Sequence, residues 1–195
     1  SANMVKNFLQ YYTAASDKDA FLKNRYWFQV TKAYFYAKDY QKLIAFYKDT
    51  EKSMPKNTLY YRALSYVAGS HKKLKQTDRA NYLFAQIFDR CEALRTVALY
   101  NFSPENNADL NASLKLAQNK DEQIAIWAVG GYRGLTTKAI HEIYQLKPNA
   151  KYLEMLVASD IDALQRKMAN TSVVSIKAYQ QHRNEHMNTK LYQFV

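Results

Sequence analysis

The sequence predicts an all-α chain of helical hairpins, and three observations carry that expectation. Only 4 glycines and 3 prolines occur in 195 residues, too few for the tight turns that a β-sandwich or barrel needs every few residues. Apolar residues recur at helical spacing almost throughout, and strand-like alternation is sustained nowhere. Candidate helix caps interrupt that spacing at short intervals, as short links between helices require.

Taken in order, the first helix is expected from about Met4 to Ala15, with Phe8, Tyr11 and Tyr12 on one face. Ser16-Asp17-Lys18-Asp19 reads as a capping box for the second, because Ser16 can accept from the third helical N–H while Asp19 reaches back. That second helix carries Phe21, Tyr26, Trp27, Val30, Tyr34 and Ala37. Asp39 caps the next, with an inward stripe of Tyr40, Leu43, Ile44 and Tyr47, closed by Pro55. Asn57 opens a helix through Tyr61, Leu64, Val67, Ala68 and Leu74. Thr77-Asp78 starts its mate, with Ala80, Leu83, Phe84, Ile87 and Phe88 inward.

A less regular stretch, Cys91 to Phe102, leads to Ser103-Pro104-Glu105, a cap with Pro in the first turn of a helix over 106–118. Asn119-Lys120-Asp121-Glu122 is a second capping box, opening a helix through Ile124, Trp127 and Ala128 to Tyr132. Thr136-Thr137 begins its partner, with Ala139, Ile140, Ile143, Tyr144 and Leu146, ended by Pro148. A helix across Tyr152–Met168 continues the series. These elements form one domain over 1–169. The segment 170–195 is polar and weakly periodic, a loose helix or a frayed end.

Bulk composition bounds the function. Apolar residues make up 48% of the chain, enough for a folded core. Residues 1–100 hold 17 Lys/Arg against 8 Asp/Glu, so most of the +11 formal charge lies there, as do 12 of the 17 tyrosines. A basic, aromatic half suits an anionic partner. Cys91 is the only cysteine, so no disulfide forms within the chain, and its apolar neighbours predict a buried thiol. No stretch approaches a membrane span.

Three of the helix pairs resemble tetratricopeptide repeats. With Asp39-Tyr40 as the turn, Trp27, Tyr34, Tyr47 and Pro55 fall where that family's pattern places them, while Leu43 and Thr50 stand at small-residue positions. The second pair matches at Ala80 and Phe84 without the Pro. The third matches at Ala139, with Ile143 for the aromatic and Pro148 slightly early. Ala80 follows Leu43 by 37 residues, near the 34-residue family period, whereas Ala139 follows Ala80 by 59, so the spacing is irregular. The resemblance implies a right-handed α-α superhelix that acts as a non-enzymatic protein- or peptide-binding scaffold. Runs such as Arg25-Tyr26-Trp27-Phe28-Gln29 are also similar to large helical-repeat proteins of Bacteroidetes. That likeness implies a piece of a longer chain of the envelope or periplasm.

In tetratricopeptide repeats ligands lie along the surface formed by the first helix of each pair. Carried onto this chain, the resemblance gives Arg25, Phe28, Lys32, Phe35 and Tyr36 from the first pair and Arg62, Ser65, Gly69, Lys72 and Lys73 from the second. From the third it gives Ile124, Ala128 and Tyr132. The implied surface is basic with aromatic platforms and suits an acidic peptide. Nucleic acid, bound through charge and ring stacking, is one alternative. A glycan on Trp27, Tyr36 or Trp127 is the other. Homodimerisation, or packing against adjoining repeats, is expected at open ends.

Catalysis finds no support. His182-Arg183-Asn184-Glu185-His186 has the spacing of inverted zinc peptidases, but Met187–Val195 supplies no further ligand and no apolar stripe would bury the helix. His71 and His141 are isolated, Asp160 and Asp162 point to different faces of a helix, and no phosphate-binding or nucleophile motif is present. No cofactor or metal is implied.

Overall fold

The computed structural model describes residues 2–16, 19–104 and 106–170. Among them every regular element is helical and no strand occurs. The chain divides into two compact units, Ser1–Gln118 and Asn119–Val195. Residues 171–195, which include the His182 to His186 string and most of the polar 170–195 segment, lie outside the described residues.

The first unit contains α1 (Ala2–Ala14), α2 (Ala20–Tyr36), α3 (Tyr40–Thr50), α4 (Thr58–Lys73), α5 (Thr77–Arg90), α6 (Arg95–Asn101) and α7 (Asn107–Lys115). Short 3-10 turns follow α3 and precede α6, at Glu51–Ser53 and Glu92–Leu94. Helices α2 and α3 form one hairpin and α4 and α5 a second; α1 packs on α2, and α6 and α7 pack on α5.

Helices α2 and α4 lie side by side and run in the same direction. At their starts, the Asn57 amide donates to Asn24 Oδ1 at 3.1 Å, and Trp27 stacks on Tyr60 at 6.0 Å between centroids. Further along, Tyr66 meets Phe28 at 6.1 Å and Phe35 at 5.0 Å. The contacts ascend along both helices together.

Behind this pair sits α3, and Trp27 is the centre of the three-helix contact. Its side chain is fully buried between Tyr47 of α3, at 5.5 Å, and Tyr60 of α4. A buried indole needs an acceptor for its N–H. Trp27 Nε1 donates to Thr50 Oγ1 at 2.7 Å, and that hydroxyl donates in turn to the Phe46 carbonyl at 2.6 Å. A threonine where the family pattern wants a small residue thus has a physical task here.

Both hairpins turn in the same way. Lys38 and Lys75 each adopt φ 62°, directly after the end of the first helix. The next N–H closes a six-residue ring: Asp39 N–H to the Tyr34 carbonyl at 3.0 Å, and Gln76 N–H to the His71 carbonyl at 2.9 Å. Inside it lies the shorter bond, Lys38 N–H to Phe35 O at 3.0 Å and Lys75 N–H to Lys72 O at 3.1 Å. This is the Schellman ending, in which one left-handed residue lets the last carbonyls find donors.

The second unit contains α8 (Lys120–Gly130), α9 (Thr136–Leu146) and α10 (Leu153–Asn170), with a π turn at Gly131–Leu135 between α8 and α9. Within that turn Gly134 has φ 108°, a conformation that glycine adopts without the steric cost a Cβ brings. Among the described residues, left-handed backbone occurs at Lys38, Lys75 and Gly134 and nowhere else. Each lies five residues ahead of a buried side chain: Leu43, Ala80 and Ala139. Those are the three positions that the repeat spacing equates.

Several helix starts differ from expectation. The cap of α2 is Asp19, whose Oδ1 accepts from Leu22 N–H at 3.0 Å, and not Ser16. The Ser16 carbonyl instead accepts from Asp19 N–H at 3.0 Å, and Lys23 Nζ reaches Ala15 O at 3.1 Å, so the link between α1 and α2 consumes those residues. Helix α7 is capped by Asn106 rather than Ser103, through Asp109 N–H at 3.0 Å. Ser103 N–H is held by Asn81 Oδ1 at 2.9 Å, which ties the preceding loop to α5. Asn57 and Asn119 cap α4 and α8 as expected, each through a side-chain oxygen, at 3.1 and 3.0 Å.

Candidate functional site

The parallel pair α2 and α4 presents the residues that the repeat register selects. On α2, Trp27, Val30, Thr31 and Ala33 are buried, which leaves Phe21, Arg25, Phe28, Lys32 and Tyr36 along a different face. On α4 the buried set is Tyr60, Ala63, Leu64, Val67, Ala68, Ser70 and His71. Arg62, Tyr66, Gly69 and Lys73 form the stripe left over, at the i, i+4, i+7 and i+11 spacing of one helix face.

The two stripes meet through aromatic rings. Tyr66 is ringed by Phe28, Phe35 and Tyr36, the last at 6.1 Å. Phe35 also lies 5.6 Å from Tyr40 at the start of α3. Phe28, Phe35 and Tyr66 are half-buried, and Tyr36 is 63% exposed. Gly69 explains how Phe35 comes so low: a Cβ there would stand 3.2 Å from Phe35 Cε2, so the glycine admits the ring and serves packing between the helices. Burial first, and the neighbouring Tyr36 hydroxyl second, push the Tyr66 phenol up to about 12 against the pull of Arg62. It stays neutral at ordinary pH and adds no negative charge to the face.

The charged members behave differently from one another. Arg25 is exposed, with its guanidinium 4.1 Å from the centroid of the exposed Phe21 ring. Lys32 is half-buried, and Arg62 and Lys73 are exposed. Lys72 is committed within the unit: its ammonium donates to Asn101 O at 3.1 Å and to Ser103 Oγ at 2.7 Å, at the end of α6. Ser65 Oγ turns back to the Arg62 carbonyl at 2.7 Å.

Two ring residues of this face were not assigned to it from the sequence: Tyr66, and Phe21, which was counted with the apolar residues of the second helix but is 65% exposed. Tyr66 follows Arg62 by one helical turn, and Phe21 precedes Arg25 by one turn. That i, i+4 relation to a selected arginine was the available signal.

The third pair departs from expectation. Ile124 and Ala128, projected onto the groove, are buried, as is every residue from Ile124 to Gly130. A helix that is apolar all round is enclosed by its neighbours. Tyr132 is half-buried, with its hydroxyl 3.6 Å from Met155 Sδ, and belongs to the second unit.

Charge is partitioned between the helices of the two hairpins. Helices α2 and α4 carry Lys23, Arg25, Lys32, Arg62, Lys72 and Lys73 and not one Asp or Glu. Helices α3 and α5, which return from them, carry Lys42, Lys48, Arg79 and Arg90 against Asp49, Asp78 and Asp89. The imbalance therefore belongs to the parallel pair.

Elsewhere in the first unit, a cleft of about 750 Å³ opens between α1 and the α2–α3 turn, lined by Val5, Lys6, Leu9, Tyr34, Asp39 and Lys42 among others. Its Lys42 pairs with Asp39 at 3.5 Å. Among the described residues no three His, Cys, Asp or Glu side chains gather as metal ligands. No helix there is long and apolar enough to cross a membrane. Trp27 and Trp127 are 0% and 5% exposed, so neither offers a sugar the open ring face that stacking requires, and the glycan reading loses its main support.

No family model, curated protein or solved structure matches this chain.

Proposed function

We propose that the chain is a non-enzymatic scaffold that docks an acidic protein or peptide on the α2/α4 face. The observation that supports this most is the segregation of charge: the two parallel helices carry no carboxylate, and Arg25, Lys32, Arg62 and Lys73 accompany four aromatic rings, Phe28, Phe35, Tyr36 and Tyr66. Cations arrayed over half-exposed rings favour carboxylates flanked by apolar groups, since each ring contributes contact area while the cations supply attraction and register. The two hairpins, with their matched left-handed turns at Lys38 and Lys75, are in this reading tetratricopeptide-like units of a right-handed α-α superhelix.

The test compares labelled probes on the whole chain: a Glu-rich 15-residue peptide, its Lys-rich counterpart and a single-stranded oligonucleotide. Fluorescence anisotropy is followed at about 50 and 200 mM salt. The acidic peptide is expected to bind. Replacing Arg25, Lys32 and Arg62 together by Glu is expected to weaken it at least tenfold, about 1.4 kcal/mol, with the helical circular dichroism unchanged. Tighter binding of the oligonucleotide, lost steeply with salt, would assign the face to nucleic acid instead.

A further inference from the structure

We infer that the occupant of this face is an amphipathic α-helix, acidic beside its apolar stripe, rather than an extended acidic segment. The inference rests on the docking reading above and deepens it.

Phe21, Phe28 and Phe35 are separated by seven residues each, and Arg25 and Lys32 by seven. At 1.5 Å per residue the rings stand about 10 Å apart along the helix. A strict seven-residue repeat keeps one seam facing a neighbouring helix, and charges one turn away from the seam flank it.

Another face of α2, with Trp27, Val30 and Thr31, is already buried, Trp27 lying between Tyr47 of α3 and Tyr60 of α4. The phenylalanine seam is thus a second seam. Phe21 is 65% exposed, and Phe28 and Phe35 are half-buried, held from one side by Tyr66. On the far wall, Arg62 and Lys73 of α4 stand eleven residues apart, about three turns. The result is a face over two parallel helices, with a floor of aromatic rings along its middle and cations on either rim.

A helix laid along that face meets the floor with residues two turns apart and meets both rims with its flanks. Carboxylates on those flanks complement Arg25 and Lys32 on one side and Arg62 and Lys73 on the other. An extended strand sets its same-face side chains about 7 Å apart, out of step with rings about 10 Å apart. A second copy of the same face is disfavoured, because α2 and α4 carry no carboxylate to answer its cations.

The closing experiment uses three synthetic 18-residue peptides on the whole chain. The first is a helix former with Leu at seven-residue spacing, Glu on both flanks and Ala elsewhere. In the second, two central Ala become Pro, which breaks the helix at unchanged charge. In the third every Glu becomes Lys. The expected result is binding of the first at least tenfold tighter than the second. In addition, Phe21→Ala with Tyr36→Ala, the two most exposed rings of the face, reduces the first tenfold while leaving the thermal midpoint within a few degrees. Equal binding of the first and second overturns the helical occupant and leaves the acidic docking reading standing. Equal binding of all three, or of none, overturns both.

Discussion

Lys38 and Lys75 hold left-handed backbone without being glycine, a conformation that costs an L-residue roughly 1 kcal/mol or more. Both side chains are exposed, so nothing in the packing depends on them. Lys38→Gly and Lys75→Gly are each expected to stabilise the first unit by about 0.5–1 kcal/mol, read as a rise of a few degrees in the thermal midpoint. Gly134→Ala, at φ 108°, is expected to move stability the other way. His71, close by, is 7% exposed, with Nδ1 facing Gln76 Oε1. Burial first, and Arg79 besides, lower its pKa, against Gln76 and Asp78. The folded state therefore binds the proton less readily than the unfolded one. The stability it contributes is present in full above the ordinary pKa of 6.5 and is lost as pH falls through and below that value. Thermal midpoints between pH 8 and 5.5 are expected to fall for the native chain and to fall less for His71→Asn.

At the scale of the helix, α5 carries an unusual polar load. Gln86 is 4% exposed, and among the described residues neither its amide nitrogen nor its amide oxygen has a hydrogen-bond partner. An unsatisfied buried amide costs on the order of 1–3 kcal/mol. Gln86→Leu, of similar volume, is expected to raise the midpoint of chemical unfolding by the equivalent of about 1 kcal/mol. A lowered midpoint would show that the amide is bonded after all. Periodicity made most helices legible because burial follows it: Trp27, Leu43, Tyr47, Leu64, Phe84 and Ile143 all lie inside. The starts of α2 and α7 were harder to read. Ser16 and Asp19, like Ser103 and Asn106, are both competent caps three residues apart, and the choice depends on how much chain the preceding link consumes. The left-handed lysines carried no local signal at all, since lysine has no turn preference and only the closing carbonyl reveals the turn. On α2 the repeat register selected residues that the core leaves at least partly open: Arg25, Phe28, Lys32, Phe35 and Tyr36. On α8 the same register misled, although the run from Ile124 to Val129 already announced a helix apolar on every side.

Across the whole molecule, the two compact units differ in how much their sequences disclosed. In the first, the 37-residue step from Lys38 to Lys75 and from Leu43 to Ala80 is one structural period. In the second, Gly134 keeps the same five-residue offset to Ala139 after a step of 59. Spacing equated the three buried positions, and turn geometry supplies the local reason. What spacing alone left open was the course of the intervening chain, which α6 and α7 fill by packing on α5.

The segregation of charge onto α2 and α4 also has a consequence in time rather than in affinity. A field concentrated on one side of a molecule acts before contact, drawing an oppositely charged partner in and turning it to approach that side first. Salt then slows arrival more than it hastens departure. Stopped-flow mixing with the acidic helical peptide is expected to show an association rate that falls roughly tenfold between about 20 and 200 mM salt, with the dissociation rate changing severalfold less. Under the docking reading such a surface raises the frequency of productive encounters and leaves the lifetime of the complex to the contacts made after arrival.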